Sequence, residues 1–356
     1  MTSNGSKAPA TRPGRTAAFM LAAVAILSAA CVAQPATVPR LGVPVLAQPL
    51  PPGVVPVSEI KGAQGPTECT RDAPEGVDTH FDPRKSSLRP LRPMPTPNAM
   101  PAGSTMERIR RRGRLVAGVS QSLKRFGSIN PHNGEWEGFD IDIVREIAFA
   151  IFGDRNKVQF RAVNFSNQFE VLHDPDESKN VDILANSITI TCERRYHSHV
   201  FFTTNYFDAG QRVMVPTKSS YLKIEDLKGR RVCAPNKTTS IKKIIAIRDL
   251  VPVAVAEFTD CLVMLQQGQV DAISTDDSVL LGLLDQDPTM HMVGERFTDE
   301  PHGLAIRESE EDFVRFINGL LEQIRDDGTW RRLYQRWLMG LDTDIPPPPD
   351  AKYLED

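Results

Sequence analysis

The sequence predicts an α/β fold with mostly parallel sheets, and three observations predict it. Short apolar runs of strand character recur between residues 114 and 273. Between several of them, apolar residues return at the three-to-four-residue spacing of a helix face. Regular patterning is confined to roughly residues 105–340, with proline-rich sequence on either side. Strands alternating with helices form βαβ units, which build parallel sheets.

Taken in order, the basic stretch MERIRRRG (106–113) predicts a short helix leading into a compact apolar strand, Arg114–Val119. Gly138-Phe-Asp-Ile-Asp opens a segment in which Ile143, Val144, Ile147, Ala148 and Ile151 share one helix face. Further strands are expected at Val158–Val163, Val181–Leu184, Val213–Val215, Arg231–Ala234 and Val270–Ile273. Helical patterns cover Lys242–Leu250, Cys261–Gln267 and Glu311–Asp327. No internal repeat is present. The tail, with four prolines at 346–349, is expected to be disordered.

A chain of 356 residues has room for two domains. Its 42 basic and 45 acidic residues nearly cancel, which argues against a nucleic-acid binder with its basic face. Lys7, Arg12 and Arg15 precede an apolar run from Ala17 to Ala30, the layout of an export signal and too short to span a bilayer comfortably. Leu27-Ser28-Ala29-Ala30-Cys31 looks like a lipoprotein processing site, although the leucine stands four residues before the cysteine where three is usual. Plain cleavage near Ala30 or Ala33 is the rival. Five cysteines is an odd count for an exported protein, and a lipidated Cys31 leaves four, enough for two disulfides. More than half of the 28 prolines fall between residues 35 and 101, so residues 32–104 read as an extended tether or arm.

Three runs then occur in a recognisable order. They are GEWEGFDIDIVREIA (134–148), DILANSITITCERRYHSHVFFTTNYFDAGQRVMV (182–215) and QGQVDAISTDDSVL (267–280), followed by HGLAI and DGTWRRLYQRW. Together they resemble the family 3 extracellular solute-binding proteins of polar amino-acid ABC transporters, in particular actinobacterial glutamate/glutamine-binding lipoproteins. The resemblance covers about residues 105–340. It implies a periplasmic-binding-protein-like (type II) clamshell of two α/β lobes joined by two hinge crossings. Lobe 1 would comprise 105–210 and 304–340, and lobe 2 with the hinges 211–303, after a signal peptide at 1–31 and before a tail at 341–356. The crossings would fall near Gly210–Arg212 and Pro301–Gly303. The ligand is expected between the lobes, at the carboxyl ends of the strands.

An α-amino acid presents a carboxylate and an ammonium, and a closed cleft must pair both. Arg194 matches the family's carboxylate-binding arginine, and a guanidinium can bond both carboxylate oxygens. Thr189 and Ser187 stand beside it in the same motif. Asp276 matches the family's ammonium-binding aspartate, while Asp277 is expected to cap the next helix. Thr238 and Thr239 open a helix after the strand ending at Ala234, where hydroxyls and free N–H groups suit a carboxylate, though a plain helix cap is the simpler role. The family's usual glycine is missing from that loop. Phe126 and Phe165 fall where relatives place aromatic walls, with a core role the alternative for each. Lys124, Arg125 and Lys237 are the basic residues near the expected cleft; each favours an acidic ligand side chain only if it points inward. Cys233 and Cys261 both lie in lobe 2, where a bond would close a loop of about 28 residues, worth about 3–4 kcal/mol. Cys69 and Cys192 form the remaining pair.

The expected function is therefore capture of glutamate, aspartate or glutamine, with the acidic ligands slightly favoured, at the extracytoplasmic face of the cell membrane. A lipid-anchored monomer would deliver the ligand to an ABC permease by clamshell closure. Two other roles fit the same scaffold: a sensor reporting to a membrane signalling partner, and a cyclohexadienyl-dehydratase-like enzyme. A module of a cell-wall lytic enzyme is disfavoured because no catalytic domain follows Trp337. No metal-ligand spacing, phosphate loop or nucleophile elbow appears, so no metal, cofactor or nucleic acid is expected, and no catalytic residue is assigned.

Overall fold

A computed structural model describes residue 54, residues 87–342 and residues 344–354. All of them belong to one compact unit, residues 47–356. The expected signal peptide, Cys31 and Cys69 lie outside the described residues.

The first half of the chain forms α1 (Thr105–Arg112), β1 (Leu115–Val119), β2 (Ser122–Leu123), β3 (Gly127–Ile129), β4 (Trp136–Glu137), α2 (Phe139–Phe152) and β5 (Val158–Ala162). It continues through β6 (Ile183–Ala185), α3 (Cys192–His197), β7 (Val200–Phe202), β8 (Phe207–Ala209) and β9 (Gln211–Pro216). Then follow β10 (Arg231–Pro235), α4 (Thr239–Ala246), β11 (Val251–Val255), α5 (Phe258–Gln266), β12 (Ala272–Asp276), α6 (Asp277–Leu284) and β13 (Met290–Val293). The chain closes with β14 (Glu300–His302), β15 (Ala305–Arg307), α7 (Glu311–Asp326) and α8 (Thr329–Trp337).

Two five-stranded sheets carry the fold, in the orders β5-β1-β6-β15-β7 and β11-β10-β12-β9-β13. Each is parallel on one side: β1 runs with β5 and β6, and β10 with β11 and β12. The other side of each is antiparallel, against the expectation of mostly parallel sheets. The reason is the crossing. β9 enters the second sheet directly after Gly210, with Gln211 opposite Asp276, so it starts where β12 ends and runs the other way. β15 re-enters the first sheet just after β14, and β14 pairs with β8 to form a two-stranded link between the sheets. The fold is that of the type II periplasmic binding proteins.

Alternation explains the continuous apolar runs. Leu115, Ala117 and Val119 join one buried cluster while Val116 joins another; Cys233 and the pair Val232 and Ala234 divide likewise. Strands covered on both faces need apolar residues at every position. Gly138 precedes α2 at φ 133°, where an added Cβ would lie 2.2 Å from the Phe126 carbonyl oxygen. Only glycine fits that conformation and that approach.

Two expectations about the flanks are corrected. Residues 87–101 are not a free tether: Leu88 and Met100 are buried, and the Ser87 hydroxyl donates to the Phe202 carbonyl at 2.7 Å. The tail is ordered against the same lobe. Ser87 bridges Tyr353, Ser87 N donates to Lys352 O and Leu354 N donates to Ser87 O, each at 2.9 Å. Backbone pairing between the two flanks supplies what their proline-rich composition does not.

Candidate functional site

Residues from both lobes surround one pocket, placed at strand ends, in the loops after them or in the first turns of helices. From the first lobe come Phe165, Gln168, Asn186, Ser187, Thr189 and Arg194; from the second come Thr238, Thr239, Ser240, Phe258, Thr275, Asp276 and Val279. The structure thus brings together seven of the eight residues singled out from sequence. Phe126 is the exception. It is fully buried against Phe139, Phe207 and His302, one layer behind the pocket.

Arg194 is aimed by its own helix. Thr191 caps α3, its hydroxyl accepting from Arg194 N at 3.1 Å, so the first turn carries the guanidinium back over the preceding strand end. There Nη1 donates to the Thr189 carbonyl at 2.6 Å, and the guanidinium lies 5.7 Å from the centre of the Phe169 ring. Burial lowers its pKa, and the nearby Glu300, Glu193 and Asp276 carboxylates oppose that shift. A withdrawn guanidinium with most of its donors free among the described residues is suited to a carboxylate.

Ser187 takes φ 46°, a left-handed turn after β6. That turn points its N–H at Asp140 Oδ2 (2.8 Å), while Asp140 Oδ1 accepts from the Tyr206 hydroxyl at 2.6 Å. Asp140 is the aspartate of the Gly-Phe-Asp run. Burial raises its pKa, with the Tyr206 and Ser187 hydrogen bonds pulling it back. Its role is to fix the loop that carries Ser187. The Ser187 hydroxyl and Asn186 Oδ1 are buried and make no hydrogen bond among the described residues, and Asn186 Nδ2 donates to Gln168 Oε1 at 2.9 Å.

On the second lobe, Thr238 caps α4, its hydroxyl accepting from Ile241 N at 3.2 Å and donating to Pro235 O at 2.7 Å. The hydroxyl is spent on the helix, so Thr238 faces the pocket as a cap. Thr239 keeps its hydroxyl toward the cleft, 3.4 Å from that of Thr189 on the opposite lobe. Asp276 ends β12, 5% exposed, with Oδ2 2.9 Å from His302 Nε2 and Oδ1 without a hydrogen-bond partner among the described residues. Asp277, expected to cap α6, is its first residue instead. Its carboxylate pairs with Arg296 and accepts from Gly210 N at 3.4 Å, bracing a chain crossing. Phe165 and Phe258 meet edge to face at 5.0 Å across the lobes and form the apolar wall.

The three basic residues near the cleft point elsewhere. Arg125 pairs with Asp285, Lys124 Nζ lies 3.5 Å from Asp285 O, and Lys237 pairs with Glu170 at 3.5 Å on the exposed rim. Among the described residues lining the pocket, Arg194 is the one cation. No group of three or more His, Cys, Asp or Glu side chains there is arranged to hold a metal ion.

Residues 115–340 match the family model of the bacterial extracellular solute-binding proteins, family 3. The chain belongs to this family. It is 35% identical over 239 residues to the ABC transporter glutamine-binding protein GlnH of Bacillus subtilis (strain 168), covering 66% of this chain and 84% of that protein. The glutamine-binding protein of Geobacillus stearothermophilus is 34% identical over 216 residues, 60% of this chain and 80% of that one. Among solved structures, an ancestral arginine-binding protein bound to glutamine superposes with a TM-score of 0.56 at 32% identity, covering 64% of this chain and 98% of that chain. The cysteine-binding protein of Campylobacter jejuni gives a TM-score of 0.62 at 25% identity, over 68% and 97% of the two chains.

Within this family 3 protein, sequence reading missed Glu300, His302, Phe258, Gln168 and Asn186. Glu300 and His302 are two apart on β14 and share a face, but nothing local shows that this face meets Asp276. Burial raises the Glu300 pKa, Asp276 adds to the shift, and Thr189, Thr298 and Thr239 oppose it. Glu257, beside Phe258 at the lobe boundary, is pushed up to about 7 by burial and then by Asp260, against hydrogen bonds from Ser122 and the Phe165 backbone. The folded protein therefore holds the Glu257 proton more tightly than the unfolded chain. The resulting penalty is absent below pH 4.5, grows as pH rises from there to 7, and is complete above. Glu257 is partly exposed, so screening reduces the effect to about 1 kcal/mol. Glu257→Gln should raise the thermal midpoint by about 2–4 °C well above neutral pH and leave it unchanged in acid, as read by calorimetry across pH.

Proposed function

We propose that the protein is an extracytoplasmic amino-acid-binding protein that closes on a free α-amino acid and delivers it to a membrane ABC permease. The observation that carries this reading is the pairing of opposite charges from opposite lobes around one pocket. Arg194 of the first lobe suits the α-carboxylate and Asp276 of the second suits the α-ammonium. Closure joins both halves only around a molecule that bears both charges, so the ligand favours the closed form through its differential contacts. The membrane-facing setting rests on the leader and on Cys31. The matched relatives named above are binding proteins, which supports capture over catalysis.

The lining also ranks the ligands. Arg194 is committed to the α-carboxylate, so a side-chain carboxylate would enter without a cation of its own. Gln168, Asn186 and the Phe165–Phe258 wall instead suit a neutral amide on a short apolar stem. This favours glutamine over glutamate and aspartate, the reverse of the slight acidic preference expected from the sequence, and relatives named for glutamine binding support the order. Calorimetry with the purified protein should give a dissociation constant near micromolar for glutamine, about −8 kcal/mol, and weaker binding of the two acids. Tighter binding of glutamate than glutamine would overturn the ranking while leaving amino-acid capture intact.

A further inference from the structure

His302 stands on β14, where the chain returns from the second sheet toward the first. Its backbone belongs to the first-lobe side: it bridges Thr189, and its carbonyl accepts from Tyr206 N at 2.9 Å. Its ring reaches the other way, with Nε2 2.9 Å from Oδ2 of Asp276 on β12. Both side chains are withdrawn from water, His302 at 0% and Asp276 at 5% exposure. The ring packs against Phe126, Phe207 and Tyr206, with centroids 5.9, 5.5 and 6.4 Å away. His302 Nδ1 and Asp276 Oδ1 have no hydrogen-bond partner among the described residues.

These facts fix the proton. An ionised Asp276 only accepts, so Nε2 must carry the hydrogen. Nε2–H is thus the donor of this bond. The bond holds Oδ2 and turns Oδ1 toward the pocket that Asp276 lines. The same bond spans the crossing between lobes, so the ammonium partner is oriented by a residue of the hinge strand.

We propose that His302 is a positioning residue for amino-acid capture: its Nε2–H fixes the Asp276 carboxylate so that Oδ1 is left for the ligand ammonium. This rests on the binding function proposed above and goes beyond it by assigning a residue outside the pocket lining. It also explains why a polar ring stands among three aromatic residues where a phenyl ring would fill the space.

The experiment uses the purified full chain, with glutamine as probe and two variants. His302→Phe keeps the ring and removes the donor; His302→Gln restores an N–H at similar reach. His302→Phe is expected to weaken glutamine binding about tenfold or more, and His302→Gln to stay within about threefold of the parent. Nitrogen-15 spectra of the parent protein should show a proton on Nε2. The proposal is overturned if His302→Phe folds and binds as tightly as the parent, if His302→Gln folds and binds as weakly as His302→Phe, or if the spectra show the Nδ1–H tautomer. Should His302→Phe not fold, the glutamine variant and the spectra decide. If the parent binds no amino acid, the binding function itself fails, and the tautomer still reports whether the bond to Asp276 exists.

Discussion

Arg194→Met should weaken binding of the preferred amino acid by about 10²–10³-fold, with calorimetry or a fluorescence titration as the measurement. The size follows from what remains after the change. The ligand carboxylate would enter a cleft beside the Asp276 carboxylate, with no second cation among the described lining residues. An uncompensated charge in a closed site is worth several kcal/mol, more than the lost attraction alone. Arg194→Lys should recover only part of the loss, because an ammonium cannot make two parallel bonds to a carboxylate. Asp276→Asn tests the other half in the same way: it removes the counter-charge for the ammonium while keeping the shape. Both changes should leave the unfolding midpoint nearly unchanged.

Removing the Cys233–Cys261 disulfide should destabilise the second lobe by about 3–4 kcal/mol, the loop-entropy value for a closure of this length. The bond joins β10 to α5 across 28 residues, and both cysteines are fully buried. The change Cys233→Ala with Cys261→Ala should lower the thermal midpoint by roughly 10 °C. Hydrogen exchange should rise first in β10, β11 and α5, the elements inside or beside the closed loop. Ligand affinity should be kept where the protein is folded, since neither cysteine lines the pocket. Cys192 is also disulfide-bonded. Its expected partner, Cys69, lies outside the described residues.

Much of this site was legible because its residues sit in local motifs. Thr189, Thr191 and Arg194 fall within one strand-end-to-helix turn, and Asp276 follows directly on an apolar strand. Such placements depend on a few neighbouring residues, so short-range spacing carries them. The Gly-Phe-Asp run was recognised without its role, because Asp140 acts on Ser187 47 residues away. His302 and Glu300 were not legible at all. Their contacts depend on β14 pairing with β8 and on how the lobes close, and no periodicity encodes either. Phe126 fails for the converse reason: a phenylalanine reads the same whether it lines a pocket or backs it. The orientation of Lys124, Arg125 and Lys237 was equally invisible, since it is set by Asp285 and Glu170, which lie far away in sequence. The flanks show composition being overridden. Proline-rich strings at 87–101 and 345–354 order through mutual backbone pairing and the buried Leu88 and Met100.

The central claim is that opposite lobes present one charge each to a free α-amino acid. Calorimetric titration of the purified protein with each of the twenty common amino acids tests it most directly. One-to-one binding near micromolar is expected for glutamine, lost in both Arg194→Met and Asp276→Asn. Absence of binding to any of them, or binding that survives both substitutions, would contradict it.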